Sequence, residues 1–508
     1  MRKLIKVLTS RVVAFGVLIL LQVALLFSWL YQATIYYKVS PILDALALLL
    51  AIYVINKQED ASYKIAWCVF ILVFPLIGGG LYLLCAGRKM PKKLYYGTTQ
   101  AGHQMYDLLV QDPNVIERLK EKPNVYKMFE YAHRCSDFPS YIGTEVTYFS
   151  SGEEMFEAMV EELKKAKKFI FLEYFQIAHG KMWDTIESIL EEKVKEGVEV
   201  KLIYDDFGCS TTLPRSYQRK MNEKGIETYR FNKMRPALII QMNNRDHRKI
   251  MVIDNEVGFT GGVNIADEYI NEIVRYGHWR DSGVMLKGNA VRSLTDMFLG
   301  MYTFLKKDTS DIDYTKYLNQ LFRSDYHGII QPFSDTPTDD ADVGIGMHLN
   351  LVNNAKNYIY IDTPYLVLNG DMQTALCLAA QNGVDVRILV PHIPDKRYVF
   401  QMTRGNYEPL LKAGVRIYEY TPGFNHSKTI VSDDEFGLVG TVNTDYRSYF
   451  LHFEDGVLIY DNPEIFKMKN AFLSALEESQ EITLDTCRQV LLPTRMIRSI
   501  LRIMAPLF

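Results

Sequence analysis

The sequence predicts an α/β protein built from two copies of one unit, each a mainly parallel sheet flanked by helices, related by a pseudo-twofold axis. A transmembrane helical region is expected ahead of them. Three observations carry this reading: apolar segments crowd residues 1–93, strand and helix patterns alternate after that point, and polar residues recur at a constant offset of 179 residues.

A chain of 508 residues exceeds one ordinary core, so several domains are expected. Apolar residues make up 48% and charged residues 23%, close to globular averages, which excludes general disorder. A net charge of −3 and a pI near 6.4 speak against nucleic acid as partner, because phosphate binding needs a cationic excess. Cys68, Cys85, Cys135, Cys209, Cys377 and Cys487 are scattered, with no CxxC pair. They read as buried thiols, giving neither a zinc site nor a disulfide framework.

In the N-terminal region, residues 12–31 carry no charge and end near Trp29 and Tyr31. That length matches a bilayer core, and the aromatics suit its interface. A signal peptide is the alternative, but no A-x-A site follows. Residues 42–55 form a shorter apolar segment, and 65–86 a third, interrupted by Pro75 and Gly78-Gly79-Gly80. Two or three spans follow from this pattern. Arg2, Lys3, Lys6 and Arg11 place the N-terminus inside, yet Arg88, Lys89, Lys92 and Lys93 pull the region after the third segment inside too, so the leaflet served stays open.

Residues 94–139 connect this anchor to the first unit, 140–310; a linker at 311–334 leads to the second unit, 335–480, and a tail at 481–508. Ala166-Lys-Lys-Phe-Ile-Phe-Leu-Glu173 aligns with Ala355-Lys-Asn-Tyr-Ile-Tyr-Ile-Asp362, each a buried strand ending in an acid. Gly197–Ile203 aligns with Gly383–Leu389, and Gly225–Tyr229 with Gly414–Tyr418. These are helix-to-strand passages in which glycine stops the helix. Strands alternating with helices predict parallel sheets covered on both faces.

The most polar match carries the chemistry. His247, Lys249, Asp254, Gly261 and Asn264 recur as His426, Lys428, Asp433, Gly440 and Asn443. Strand alternation points His247 and Lys249 the same way, and likewise His426 and Lys428. A turn at the glycine returns the chain so that the asparagine joins the cluster. Two histidines, two lysines and two asparagines suit one phosphodiester. The lysines and asparagines bind its oxygens, one imidazole attacks phosphorus, and the other protonates the leaving oxygen. Asp281 and Glu454, each about 30 residues beyond a histidine, are candidates for orienting the imidazoles. Asp254 and Asp433 enter the catalytic set as motif members, although a turn role at the strand end competes.

These residues resemble the phospholipase D superfamily, marked by two HxKxxxxD motifs each followed by a G-[GST]-x-N turn. Within it, GxxLYLLCAGRK, NNRDHRKIMVIDNEVGFTGGVNIADEY, YGHWRDS and HSKTIVSDDEFGLVGTVNTDYRSYFLHFE are similar to bacterial cardiolipin synthases over nearly the whole chain. The resemblance implies a multi-pass protein of the bacterial plasma membrane that converts two phosphatidylglycerols to cardiolipin and glycerol. It implies no nucleotide, metal or other cofactor, with membrane lipids as partners. His247 would carry the phosphatidyl group, and His426 would act as acid and then base. Asp246, where Asn is common, His452, also in place of Asn, and the extra segment 12–31 depart from the pattern. The alternatives are a hydrolase of the same superfamily, a membrane-tethered nuclease, or a non-catalytic scaffold. Residues 235–242 are an apolar loop suited to the interface, and 493–508 an amphipathic helix for an anionic surface or for docking on the protein.

Overall fold

The computed structural model describes residues 40–85, 108–233, 244–306, 312–318, 326–338 and 341–507. The apolar segment 12–31 and the loop 235–242 lie outside the described residues.

The first sheet uses β1 (Thr144–Phe149), β2 (Phe169–Tyr174), β3 (Glu199–Asp205), β4 (Glu227–Phe231), β5 (Lys249–Ile253) and β6 (Val257–Gly261). The short β7 (His278–Arg280) stands apart, and β8 (Gly283–Gly288) completes the sheet in the order β1-β8-β6-β5-β2-β3-β4. In the second unit come β9 (Ile329–Asp335), β10 (Tyr358–Asp362), β11 (Asp385–Pro391), β12 (Arg416–Tyr420) and the short β13 (Gly423–Asn425). They are followed by β14 (Thr429–Ser432), β15 (Phe436–Gly440), β16 (Glu454–Tyr460) and β17 (Ser479–Ile482). That sheet runs β17-β12-β11-β10-β14-β15-β16-β9.

The duplication is therefore physical, but the sheets are not mainly parallel. Only β2-β3-β4 and β10-β11-β12 pair in parallel, and every other neighbour within the two sheets is antiparallel. The reason is local. Helices separate the early strands of each unit, whereas β5-β6 and β14-β15 are hairpins closed by the three-residue loops Asp254–Glu256 and Asp433–Glu435. Within them Asp254-Asn255 and Asp433-Asp434 all adopt positive φ, between 55° and 58°, the left-handed pair of a tight hairpin turn.

Each sheet is buried on both faces. Alternation sends Phe169, Phe171, Ile250 and Val252 to a core shared with the second sheet. Val291–Lys306 and Glu464–Glu477 are the helices of that middle layer. Ile170, Leu172 and Met251 face outward to Met155, Met159, Trp183 and Ile186 of the helices Gly152–Lys165 and Lys181–Lys195. Ser151 caps the first of these at Glu154 N, with acids in its first turn and lysines in its last.

In the N-terminal region the helices Ser40–Ile55, Ala61–Val73 and Pro75–Cys85 hold 16, 13 and 11 residues. No helix among the described residues is long and apolar enough to cross a membrane, so the expected multi-pass anchor is not supported there. Pro75 divides segment 65–86 into two helices, because it lacks the N–H that the preceding turn would need. The three helices pack around Tyr63, Trp67, Ile71 and Tyr82, leaving Ile42, Leu46, Leu49, Ile65, Leu72 and Val73 exposed.

The tail forms the helix Leu492–Met504, whose arginines reach partners on the protein. Arg498 Nε donates to Gln401 at 2.9 Å, Arg502 to Gln373 at 2.7 Å, and Arg495 pairs with Glu408 at 3.6 Å. Leu492, Met496, Ile497, Ile500 and Ile503 are exposed apolar side chains, and Arg495 and Arg502 are exposed beside their partners. The arginines thus tie the helix to the protein together with Leu501, and a row of its apolar side chains is left exposed.

Candidate active site

The histidines lie just ahead of β5 and β14, at the ends of the sheets where the units meet. Cross-unit strand pairing sets them there. β7 pairs with β13 in parallel, Trp279 opposite Phe424, and His426 N donates to Arg280 O at 2.7 Å. In the mirror position Asp246 bridges Phe453, and His247 N donates to Phe453 O at 2.9 Å.

This pairing crosses the carboxylates over. His247 Nδ1 meets Glu454 Oε2 at 2.8 Å, and His426 Nδ1 meets Asp281 Oδ2 at 2.7 Å. Each unit's acid serves the other unit's imidazole. With Nδ1 spent as a donor to a carboxylate, Nε2 of each ring is left for a substrate. Both rings line one half-open cavity of about 550 Å³, together with Asn264, Asn443, Tyr269, Trp279, Arg447 and His452.

The carboxylates are themselves held. Ser448 Oγ donates to Glu454 Oε1 at 2.7 Å, and His452 Nδ1 lies 3.3 Å from the same oxygen. Asp281 accepts from Ser282 N at 2.9 Å and from Trp279 Nε1 at 3.4 Å. Trp279 and His452 each sit two residues before their acid and pack against the opposite unit's histidine, ring centroids 5.2 Å and 5.3 Å apart. Period-two alternation from the acid would have found both. Gly262 is required here, because a Cβ would stand 1.9 Å from Asp281 Oδ1.

Lys249 and Lys428 lie deeper than the rings, each Nζ donating to the carbonyl of its own histidine. Asn264 accepts from Gln176 N and donates to the Tyr269 hydroxyl, whereas Asn443 Oδ1 is buried without a partner. The repeat is thus symmetric in residue type but not in bonding.

Asp254 and Asp433 are not in this cluster, which corrects their place in the catalytic set. Each stands at the far end of its strand, roughly 16 Å along the chain from the lysine. Asp254 accepts from Lys167 N, Lys168 N and Phe169 N at 2.7–2.8 Å. Asp433 accepts from Lys356 N, Asn357 N and Tyr358 N at 2.7–2.9 Å. They pin the hairpin turn to the start of the neighbouring strand.

Burial dominates the electrostatics. It lowers the His426 imidazole to about 4, aided by the Lys428 cation, and takes His247 well below its usual range. Burial also lowers Lys249 to about 8 and Lys428 to about 7, against the pull of the nearby carboxylates. Asp281 moves the other way: burial raises it, but His426 and Lys428 outweigh that and hold it below the carboxylate range. All four basic groups therefore gain from an anion. His247, His452 and Glu454 bring ligand atoms within 4.8 Å of one another, but both Nδ1 atoms already face the Glu454 carboxylate, so a metal ion would have to replace those contacts.

A family model described as the cardiolipin synthase, phospholipase D-like domain matches residues 159–278 and again 349–476. A phospholipase D-nuclease N-terminal model matches 45–86. The chain is 35% identical to a cardiolipin synthase of Geobacillus sp., covering 89% of this chain and 90% of that one. It is 33% identical to cardiolipin synthase 2 of Bacillus anthracis, covering 91% and 90%. Among solved structures, phosphatidylserine synthase of Haemophilus influenzae has a similar fold, with a TM-score of 0.55 at 15% identity over 75% of this chain and 98% of that one. Two domain matches in one chain, a matched N-terminal region and 33–35% identity along nearly the full length of both chains place this chain in the cardiolipin synthase family of phospholipase D-like enzymes.

Proposed function

We propose that the enzyme transfers a phosphatidyl group from one phosphatidylglycerol to the terminal hydroxyl of a second, releasing glycerol and giving cardiolipin. His247 Nε2 attacks phosphorus and the P–O bond to glycerol breaks, the departing oxygen taking its proton from His426. The second lipid's hydroxyl then gives its proton to His426 and attacks phosphorus, and the P–N bond breaks. Lys249, Lys428, Asn264 and Asn443 bind the phosphoryl oxygens, where charge grows in the transition state. The carrying observation is the crossed pair of carboxylates, which leaves both Nε2 atoms in one cavity.

Charge balance supports the division of labour. Lys249 and Lys428 oppose Glu454 and Asp281, so the empty site holds neutral imidazoles. One phosphodiester adds a negative charge and draws a proton onto one ring, which creates the acid the first step needs. Exposed apolar side chains on Ser40–Ile55, Ala61–Val73 and Leu492–Met504 support a membrane location for the lipid substrate.

The test is incubation of the purified protein with labelled phosphatidylglycerol in vesicles, with and without excess glycerol. Cardiolipin must appear and glycerol must reverse it. Phosphatidic acid as sole product would overturn the reading, and acid-labile, base-stable label on His247 identifies the nucleophile.

A further inference from the structure

The residues that serve the transferred phosphate recur in both units. Several cavity residues break that symmetry, two basic ones among them. At the 179-residue offset Arg447 stands where the first unit has Glu268, and, counted two positions back from the acids Asp281 and Glu454, His452 stands where it has Trp279. Groups present once suit a ligand present once. In the transfer proposed above, that ligand is the headgroup of the accepting lipid, which brings a second phosphodiester and a free secondary hydroxyl.

The bonding fits that headgroup. Glu268 is neutralised by Arg275 at 3.0 Å, and Lys396 lies 3.4 Å from Asp395. Arg447 lines the same cavity with its Nε buried and unpartnered. His452 is 8% exposed, lines the cavity, and its buried Nε2 has no partner. Its Nδ1 faces Glu454 and burial drops its pKa to about 3, so the ring is neutral and Nε2 is a hydrogen-bond acceptor. Arg245 stands behind Phe207, its cationic centre 5.0 Å from that ring; its Nη1 pairs with Asp205 at 3.5 Å and donates to Asn232 O at 2.9 Å, while Nε and Nη2 are buried without a hydrogen-bond partner.

We propose that Arg447 binds the phosphodiester of the accepting lipid and that His452 Nε2 accepts a hydrogen bond from the secondary hydroxyl of its glycerol. This subsite makes an anionic lipid alcohol a better acceptor than water or free glycerol. It rests on the transfer reading above.

The experiment compares two reactions of the full-length enzyme on phosphatidylglycerol vesicles: cardiolipin formation, and exchange of labelled free glycerol into phosphatidylglycerol. Both pass through the same phosphatidyl-enzyme, but only the first uses an anionic acceptor. Arg447→Gln should lower the ratio of cardiolipin formation to exchange by about 10- to 100-fold, the usual weight of a hydrogen bond to a charged group, and Arg447→Lys should recover part of it. The persisting exchange reports a folded enzyme. In the wild type, glycerol 1-phosphate should outcompete glycerol as acceptor, and Arg447→Gln should erase that preference. An unchanged ratio, a loss of exchange in equal proportion, or a wild type indifferent to the phosphate of the acceptor would each overturn the subsite. Wild type that makes phosphatidic acid and no cardiolipin would remove the transfer reading itself, a distinct result.

Discussion

At the residue scale, the crossed carboxylates decide which substitution injures which step. Asp281→Asn should impair His426, and Glu454→Gln should impair His247, each lowering kcat by about 100-fold, as loss of a histidine's orienting carboxylate does elsewhere. A lipid with a p-nitrophenolate leaving group needs no general acid. It should therefore rescue Asp281→Asn in the first step and leave Glu454→Gln slow; the reverse pattern would mean that each acid serves its own unit. Asp254→Asn should behave differently. It weakens three backbone hydrogen bonds and should cost on the order of 1–3 kcal/mol of stability, with kcat per folded molecule unchanged. Denaturant unfolding beside an activity assay separates the two outcomes. The histidines and lysines were legible because they recur at fixed spacing, and the supporting acids because each stands at the start of a similar apolar strand beyond its histidine. The crossing was not, because aligning a repeat with itself shows which positions correspond and not which copy supplies the contact. Asp254 misled for the same reason, since a turn anchor needed in both units recurs as faithfully as a catalytic group.

At the element scale, the strands of both units were legible from runs such as Phe169–Tyr174, whose residues are all buried. Their direction was not. Continuous apolar runs mark a strand buried on both faces, and such burial arises in mixed sheets as readily as in parallel ones once a helical layer covers each side. The Asp254-Asn255 and Asp433-Asp434 turns were the available sign of hairpins. The C-terminal helix shows the converse limit. Its amphipathic period was plain, but which face the protein takes depends on Gln373, Gln401 and Glu408, remote in sequence. With the arginines bound, replacing Ile497 and Ile500 together by Asp should weaken vesicle binding. Each charge removes exposed apolar surface worth about 1–2 kcal/mol at an interface. Sedimentation with phosphatidylglycerol vesicles should show the loss, while turnover of a short-chain, monomeric phosphatidylglycerol stays near wild type. Equal losses on both substrates would argue that the helix only stabilises the fold.

At the scale of the whole molecule, two sheets share one core, with Phe171, Phe298, Tyr360 and Phe472 in its middle layer, so the units should unfold together. Buried histidines set how that stability responds to acid. His426 and His348 are lowered by burial to about 4, below the unfolded value near 6.5. The unfolded chain takes up protons first, so the stability from each is complete above pH 6.5 and is lost as pH falls through about 4. Each contributes on the order of 3 kcal/mol, and one cooperative transition should shift to lower Tm between pH 6.5 and 4. Two separated transitions would show that the units fold independently. The exchange of carboxylates has a further consequence for ancestry. Neither half of the gene encodes a finished acid–base pair, so an ancestor with a single copy could have worked only as a pair of identical chains, each lending its acid to its twin. Joining the copies end to end kept that loan and freed the halves to diverge, as Arg447 opposite Glu268 and His452 opposite Trp279 record.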